Sequence, residues 1–199
     1  MQKLGAVVYT VRSTVAEGWD AEFNRWQGEE HVPRLLQVPG YLSTQGYARL
    51  DRPRAFMNVW QIESRAAFEG EARTTAAHTP WRARMAEVRT EHSVDVYVPI
   101  SGDGVAAGQP LREGPEFLVR YDLTARADVS EAQVAAGIDA LVKALAADRA
   151  TVYIRVLKAL KAPRVYLLLH YLRERPAVTS VECPWCERAE AAPFAALER

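Results

Sequence analysis

Residues 22–41 read EFNRWQGEEHVPRLLQVPGY, and the fold follows from how this stretch is wound. Together with Trp19, the aromatics Phe23 and Trp26 recur at positions i, i+4 and i+7, an apolar stripe at helical period. Glu30 is the next step along that stripe, so a carboxylate follows two tryptophans on the buried side. Pro33 has no N–H to donate and disfavours helical geometry at Val32. The spacing therefore predicts a helix that stops near Glu30 or His31, and a second short helix over 33–37 with Pro33 in its first position. Pro39-Gly40 then turns the chain into a strand. His31 has two readings. It caps the joint between the helices, or it borders a cavity together with Glu30.

Working outward, the first half alternates strands and helices. Strands are predicted at 4–12, 41–50, 55–62 and 93–100, with the turn Asp51-Arg52-Pro53-Arg54 joining the second to the third. Ser64 and Thr79-Pro80 open helices running to about Glu71 and Val88. The order is β-α-β-β-α-β, the ferredoxin-like plan. Residues 101–114, SGDGVAAGQPLREG, carry four glycines and a proline and read as a linker.

The second half repeats the plan in part. Strands are predicted at 116–124, 151–160 and 164–172, and a helix over 128–147 opened by a Ser130–Gln133 capping pair. A last helix is predicted to start near Pro184. After it, the tail reads as a short strand or an extended arm. His78-Thr79-Pro80-Trp81-Arg82 and Glu182-Cys183-Pro184-Trp185-Cys186 both follow the third strand of their half, a trace of duplication. The expected organisation is one unit over 1–100, the linker 101–114, and a second, divergent unit over 115–199. Each unit has helices on one face of its sheet only. Packing the two bare faces together would close a barrel within a single chain.

This pattern resembles the dimeric α/β-barrel superfamily. Its first half is similar to the EthD-like proteins, which share W-x(3)-E-H-x-P, a P-G-[FY] turn and a later T-P-W. Here those are Trp26 to Pro33, Pro39-Gly40-Tyr41 and Thr79-Pro80-Trp81, within residues 4–98. The second half has no Glu-His counterpart, so any site carried over is single. The resemblance implies an α+β pseudo-dimeric barrel. The superfamily includes cofactor-free monooxygenases, polyketide cyclases, lactone isomerases and haem enzymes, so it implies fold more strongly than activity.

Alternation along the strands separates two faces. Val152, Ile154, Val156, Val165, Leu167, Leu169, Phe117, Val119 and Leu123 are expected to meet the helices. Arg120, Asp122, Tyr153, Arg155, Tyr166 and His170 are expected on the other face, inside the barrel. Buried arginines need partners, and Asp122 is placed for Arg120 or Arg155. This set is either a network tying the barrel together or an anchor for an acidic or phenolic ligand. In the first half Phe56, Asn58, Trp60 and Ile62 share one face, while Tyr41, Ser43, Gln45, Tyr47 and Arg49 share another. Aromatics mixed with amides suit a pocket for a flat apolar molecule, and equally a filled core. Cys183 and Cys186 would lie at the start of the last helix, as a redox dithiol or as incidental thiols. Two cysteines alone cannot close a zinc site.

The 25 basic and 25 acidic residues are interspersed and the formal net charge is zero. No basic stripe suggests nucleic acid or an anionic membrane as a partner. No apolar run reaches membrane-span length. Two cysteines do not make a secreted scaffold, and the N-terminus lacks a signal-peptide pattern, so the expected location is cytoplasmic. No Ser-His-Asp set, P-loop, GxGxxG or HExxH is present. The readings left are a cofactor-independent oxygenase, cyclase or isomerase acting on an aromatic or polyketide-like molecule, a non-catalytic binder or carrier, and a dithiol redox protein. In the first, His31 is general acid or base and Glu30 tunes it. Asn58, Trp60, Tyr47, Arg120, Asp122, Arg155 and His170 hold the ligand. No metal or cofactor is expected. The chain is expected as a monomer with an internal pseudo-dimer, or as a homodimer.

Overall fold

The computed structural model describes residues 5–100, 116–177 and 181–197. The linker expected at 101–114 lies outside them. Among the described residues there are eight strands: β1 Val7–Val15, β2 Tyr41–Arg49, β3 Ala55–Ile62, β4 Arg89–Pro99, β5 Phe117–Ala125, β6 Thr151–Ala159, β7 Val165–Leu172 and β8 Cys186–Ala196. They join in one closed order, β1-β3-β2-β8-β5-β7-β6-β4, an eight-stranded barrel. By Cα proximity the described residues fall into two units. Unit 1 holds 5–96 with Leu197, and unit 2 holds 97–100 with the described residues from 116 to 196.

In unit 1 the predicted helix break takes another form. Helix α1 (Asp20–Trp26) continues through a π-wound segment, Gln27–His31, into α2 (Val32–Leu35). Val32 is helical, with φ −66° and ψ −49°, and its N–H bonds to the Gln27 carbonyl five residues back. The helix thus neither stops at His31 nor restarts at Pro33. The wider turn moves the Glu29 carbonyl away from the Pro33 ring, which in an α-helix would strike it. His31 makes no side-chain capping bond, so the capping reading is set aside. Beyond α2, Gly40 takes φ +86°. A Cβ there would also run into Ala67, so the Pro-Gly turn requires glycine for both reasons.

The rest of the helical layer follows the caps. Ser64 accepts a bond from the Ala67 N–H to open α3 (Arg65–Glu69), and α4 (Glu71–Ala77) follows directly. Thr79 accepts from the Arg82 N–H, with Pro80 first in α5 (Pro80–Glu87). Trp26, Phe23 and Met85 form one buried cluster with Val15, and Phe23 stacks on Phe56 at 5.5 Å. Val7, Tyr9, Val32, Leu35, Tyr41, Trp60 and Ile62 form a second. The face carrying Phe56, Asn58, Trp60 and Ile62 therefore meets the helices. Strand β2 does not keep one parity. Its register against β3 shifts between Tyr41 and Ser43. Tyr41 consequently packs with the helices, while Ser43, Gln45 and Tyr47 pair with Gln61, Val59 and Met57 on the opposite face.

Unit 2 is built on α6 (Glu131–Ala146), opened by the expected capping box of Ser130 and Gln133. Val134 and Ile138 pack on Val119, Tyr121, Leu123, Ile154, Val156, Tyr166, Leu168 and Leu172. The expected faces of β5 agree with this, and those of β6 agree for Ile154 and Val156, whereas Val152 lies at a register shift and is exposed. For β7 they are reversed: Tyr166 and His170 share the helix-side face, whereas Leu167 and Leu169 pair with Asp122 and Arg120 on the other. The helix expected at Pro184 is absent among the described residues. Pro184 lies in a turn, Cys183 and Cys186 are disulfide-bonded across it, and β8 begins at Cys186. Unit 2 therefore runs β-α-β-β-β. Pro80 starts a helix and Pro184 does not, so the shared Pro-Trp marks no common structure.

Candidate functional site

Unit 1 contains a small cavity between its helices and the helix-side face of its sheet, about 50 Å³ in volume. The π segment positions its centre. His31 is the last residue of that segment, and its ring stacks on Trp26 at 4.5 Å with an interplanar angle of 28°. Trp60 meets the same imidazole edge-on at 6.5 Å. Asn58 donates from Nδ2 to Gln27 Oε1 at 3.2 Å, which ties β3 to the start of the π segment. Of the sequence-predicted residues, His31, Asn58 and Trp60 line this cavity. Glu30 does not line it, and its Oε1 is buried without a hydrogen-bond partner.

The electrostatics of the cavity come from residues the sequence reading passed over. Arg73 on α4, Arg82 on α5, and Arg89 and His92 on β4 complete the wall. The Arg73 guanidinium lies 4.3 Å from the centre of the Phe68 ring and donates to the Tyr9 hydroxyl at 3.5 Å. Arg89 Nη1 lies 3.2 Å from His92 Nδ1, which also meets Ser13 Oγ at 3.1 Å. Burial first, then the charges of Arg82, Arg89, Arg73 and His92, lower the His31 pKa from 6.5 to about 4. The imidazole is thus neutral near pH 7, with one ring nitrogen free to accept. Burial and the charge of Arg82 also hold Arg89 below its ordinary value. A signal was available: residues 72–90 hold four arginines against the single acid Glu87.

The remaining predicted residues lie elsewhere. In unit 2 Arg120 is 1% exposed and bonds Asp122 through Nε at 2.7 Å and Nη2 at 2.6 Å, and Tyr97 OH at 3.0 Å. Arg155, also buried, flanks the same Leu169 from β6. His170 is not with them, because its parity on β7 is the opposite one. It pairs across to Val119, lies 2.7 Å from Thr151 Oγ1 and stacks on Tyr121 at 6.4 Å. Burial lowers its pKa. Tyr47 is buried on the face of β2 away from the helices. A separate groove of about 290 Å³ runs along α6, with Val134, Ile138, Val142 and Tyr166 on its walls, and none but Tyr166 belongs to the polar set expected from the sequence.

Among the described residues, no cluster of three or more His, Cys, Asp or Glu side chains is placed to hold a metal ion. No described helix is long and apolar enough to cross a membrane.

No family model matches the chain, and no curated protein matches it. Solved structures do. A candidate monooxygenase from Fusobacterium nucleatum superposes with a TM-score of 0.66 at 9% identity, covering 96% of this chain and 92% of its own. An anthrone oxidase-like protein gives 0.63 at 12% identity, covering 96% and 91%. A candidate monooxygenase from Lactobacillus acidophilus gives 0.61 at 9% identity, covering 96% and 94%. Identities this low carry fold and not activity. Coverage of nearly the whole chain, with eight strands in closed order, gives this protein the fold of the dimeric α/β-barrel proteins.

Proposed function

We propose that the protein binds a small molecule in the unit 1 cavity and transforms it without a cofactor, as an oxygenase, cyclase or isomerase. The observation that carries this reading is the His31 imidazole, kept neutral between two indoles at the wall of a cavity. A neutral imidazole sheltered from water is a general base for an acidic C–H or O–H. Trp26 and Trp60 would hold a flat group against it, and Asn58 would orient a polar atom. The monooxygenase and anthrone oxidase names of the structural neighbours favour oxygen chemistry among the three. The reading gives Glu30 no part in the cavity. Arg120, Asp122, Arg155, Tyr47 and His170 become structural. We further assign this chemistry to residues 1–100 of a cytoplasmic chain that acts as a monomer with an internal pseudo-dimer, or as a homodimer.

Native mass spectrometry of the purified protein with a panel of small phenols, enolisable ketones and aromatic acids tests the reading. One bound molecule per chain is expected. With any turned-over member, His31→Gln is expected to keep binding and to lose at least 100-fold in kcat, the usual scale of general base catalysis. Binding without turnover of any panel member would leave a carrier. Failure to capture any molecule, or full turnover by His31→Gln, would end the reading.

A further inference from the structure

We infer that the unit 1 cavity selects an anion, a compact carboxylate or the carboxylate end of a larger molecule; this rests on the cavity being a ligand site. The wall carries Arg73, Arg82 and Arg89 and has no aspartate or glutamate. None of the three arginines has a carboxylate within ion-pair distance among the described residues, although Arg12, Arg49, Arg52, Arg65, Arg84 and Arg126 all do. Three cations gathered without a counter-charge repel one another, and half-buried positions screen that repulsion poorly.

The unsatisfied N–H donors point the same way. Trp26 Nε1, Trp60 Nε1 and Arg89 Nε are buried without an acceptor. Each belongs to a residue of the cavity wall, and both tryptophans are almost fully buried. A buried donor left unmade loses its hydration and gains nothing in return. The fold accepts that cost for two indoles and for one of the three guanidiniums whose charges are unbalanced around the same small space. An acceptor-rich anion would answer both deficits at once, and arginine forks are the side chains best matched to a carboxylate. The volume sets the size. A water needs about 10–15 Å³ on this measure, so about 50 Å³ takes a group of a few heavy atoms. A fused polycyclic molecule could insert only an edge.

Acetate and acetamide have the same shape and differ in charge, which makes them the test pair. The full chain, labelled with 15N, is titrated with sodium acetate and separately with acetamide at pH 7 and constant ionic strength. The indole N–H signals of Trp26 and Trp60 are followed. Acetate is expected to shift both saturably, at least tenfold more tightly than acetamide. Arg82→Gln and Arg89→Gln are each expected to weaken acetate at least tenfold, and Arg84→Gln, whose partner is Glu22, to leave it unchanged. Equal binding of the two probes would overturn the anion and leave the cavity reading standing. No shift from either probe would overturn both. Acetate shifts that survive Arg82→Gln and Arg89→Gln would place the anion elsewhere and also overturn the inference. The comparison of probes on the parent protein decides the matter even if a variant does not fold.

Discussion

His31 links the cavity to stability as well as to the chemistry proposed for it. Its folded pKa of about 4 lies below the ordinary 6.5. The unfolded chain therefore takes up a proton at a higher pH than the folded one does. The sign follows: stability is full above about pH 6.5 and is lost as pH falls toward 4, where the folded form also protonates. The full shift would be worth up to about 3 kcal/mol, less where solvent reaches the ring. His92 and His170 shift the same way through burial, so the parent curve sums all three. The denaturant midpoint of the parent should fall relative to that of His31→Gln as pH drops from 6.5 to 4. Parallel curves would place His31 in solvent. Asp122 is the other residue with a measurable role. It holds a guanidinium that is 1% exposed, while its own side chain is 27% exposed. Asp122→Ala should cost roughly 3 kcal/mol in chemical denaturation, the low end for breaking a buried pair. A loss under about 1 kcal/mol would give it the weight of a surface pair.

At the scale of elements, helix α6 and the cysteine turn are interlocked. A Cβ on Gly137 would collide with the Trp185 indole, and Trp185 also meets Tyr166 edge-on at 6.3 Å. Gly137→Ala gains helix propensity, worth up to about 1 kcal/mol, and must displace an indole to do so. A net loss of about 1–3 kcal/mol is expected, as in overpacked cores, and a thermal melt reads it. A melting temperature above the parent's would show the contact to be slack. The same elements show why parts of the fold were legible and others were not. Strand positions, the Ser130–Gln133 box and the caps at Ser64 and Thr79 follow from local chemistry, and sequence carries that. Strand β7, VYLLLHYL, is apolar on both faces, so alternation is silent there and His170 was set on the wrong one. On β2 the bulge between Tyr41 and Ser43 reverses parity with no Gly or Pro at Leu42 or Ser43 to mark the spot. Pro33 announces a disturbance in a helix but not whether the chain will stop or widen. Cys-Pro-Trp-Cys reads as a helix start only if a helix follows. The arginine wall was hidden for a further reason: its members sit on three separate elements, and only the fold brings them to one place.

For the molecule as a whole, the two halves are unequal. The first follows the ferredoxin-like order with three helices between β3 and β4. The second has one described helix and a final strand where another helix was expected. A barrel assembled from two identical chains would present every cavity twice. Among the described residues the arginine wall lies in unit 1, and the α6 groove of unit 2 has neither that wall nor a counterpart of His31. The consequence is one of stoichiometry. An anion should saturate at one equivalent per chain along a simple hyperbola, with a Hill coefficient of one, because the α6 groove of unit 2 is no twin of the first site. Isothermal titration gives both numbers, and a second equivalent of equal affinity would contradict the asymmetry. Freed from mirroring its neighbour, the second half can drift in sequence at no cost to the ligand proposed for the first.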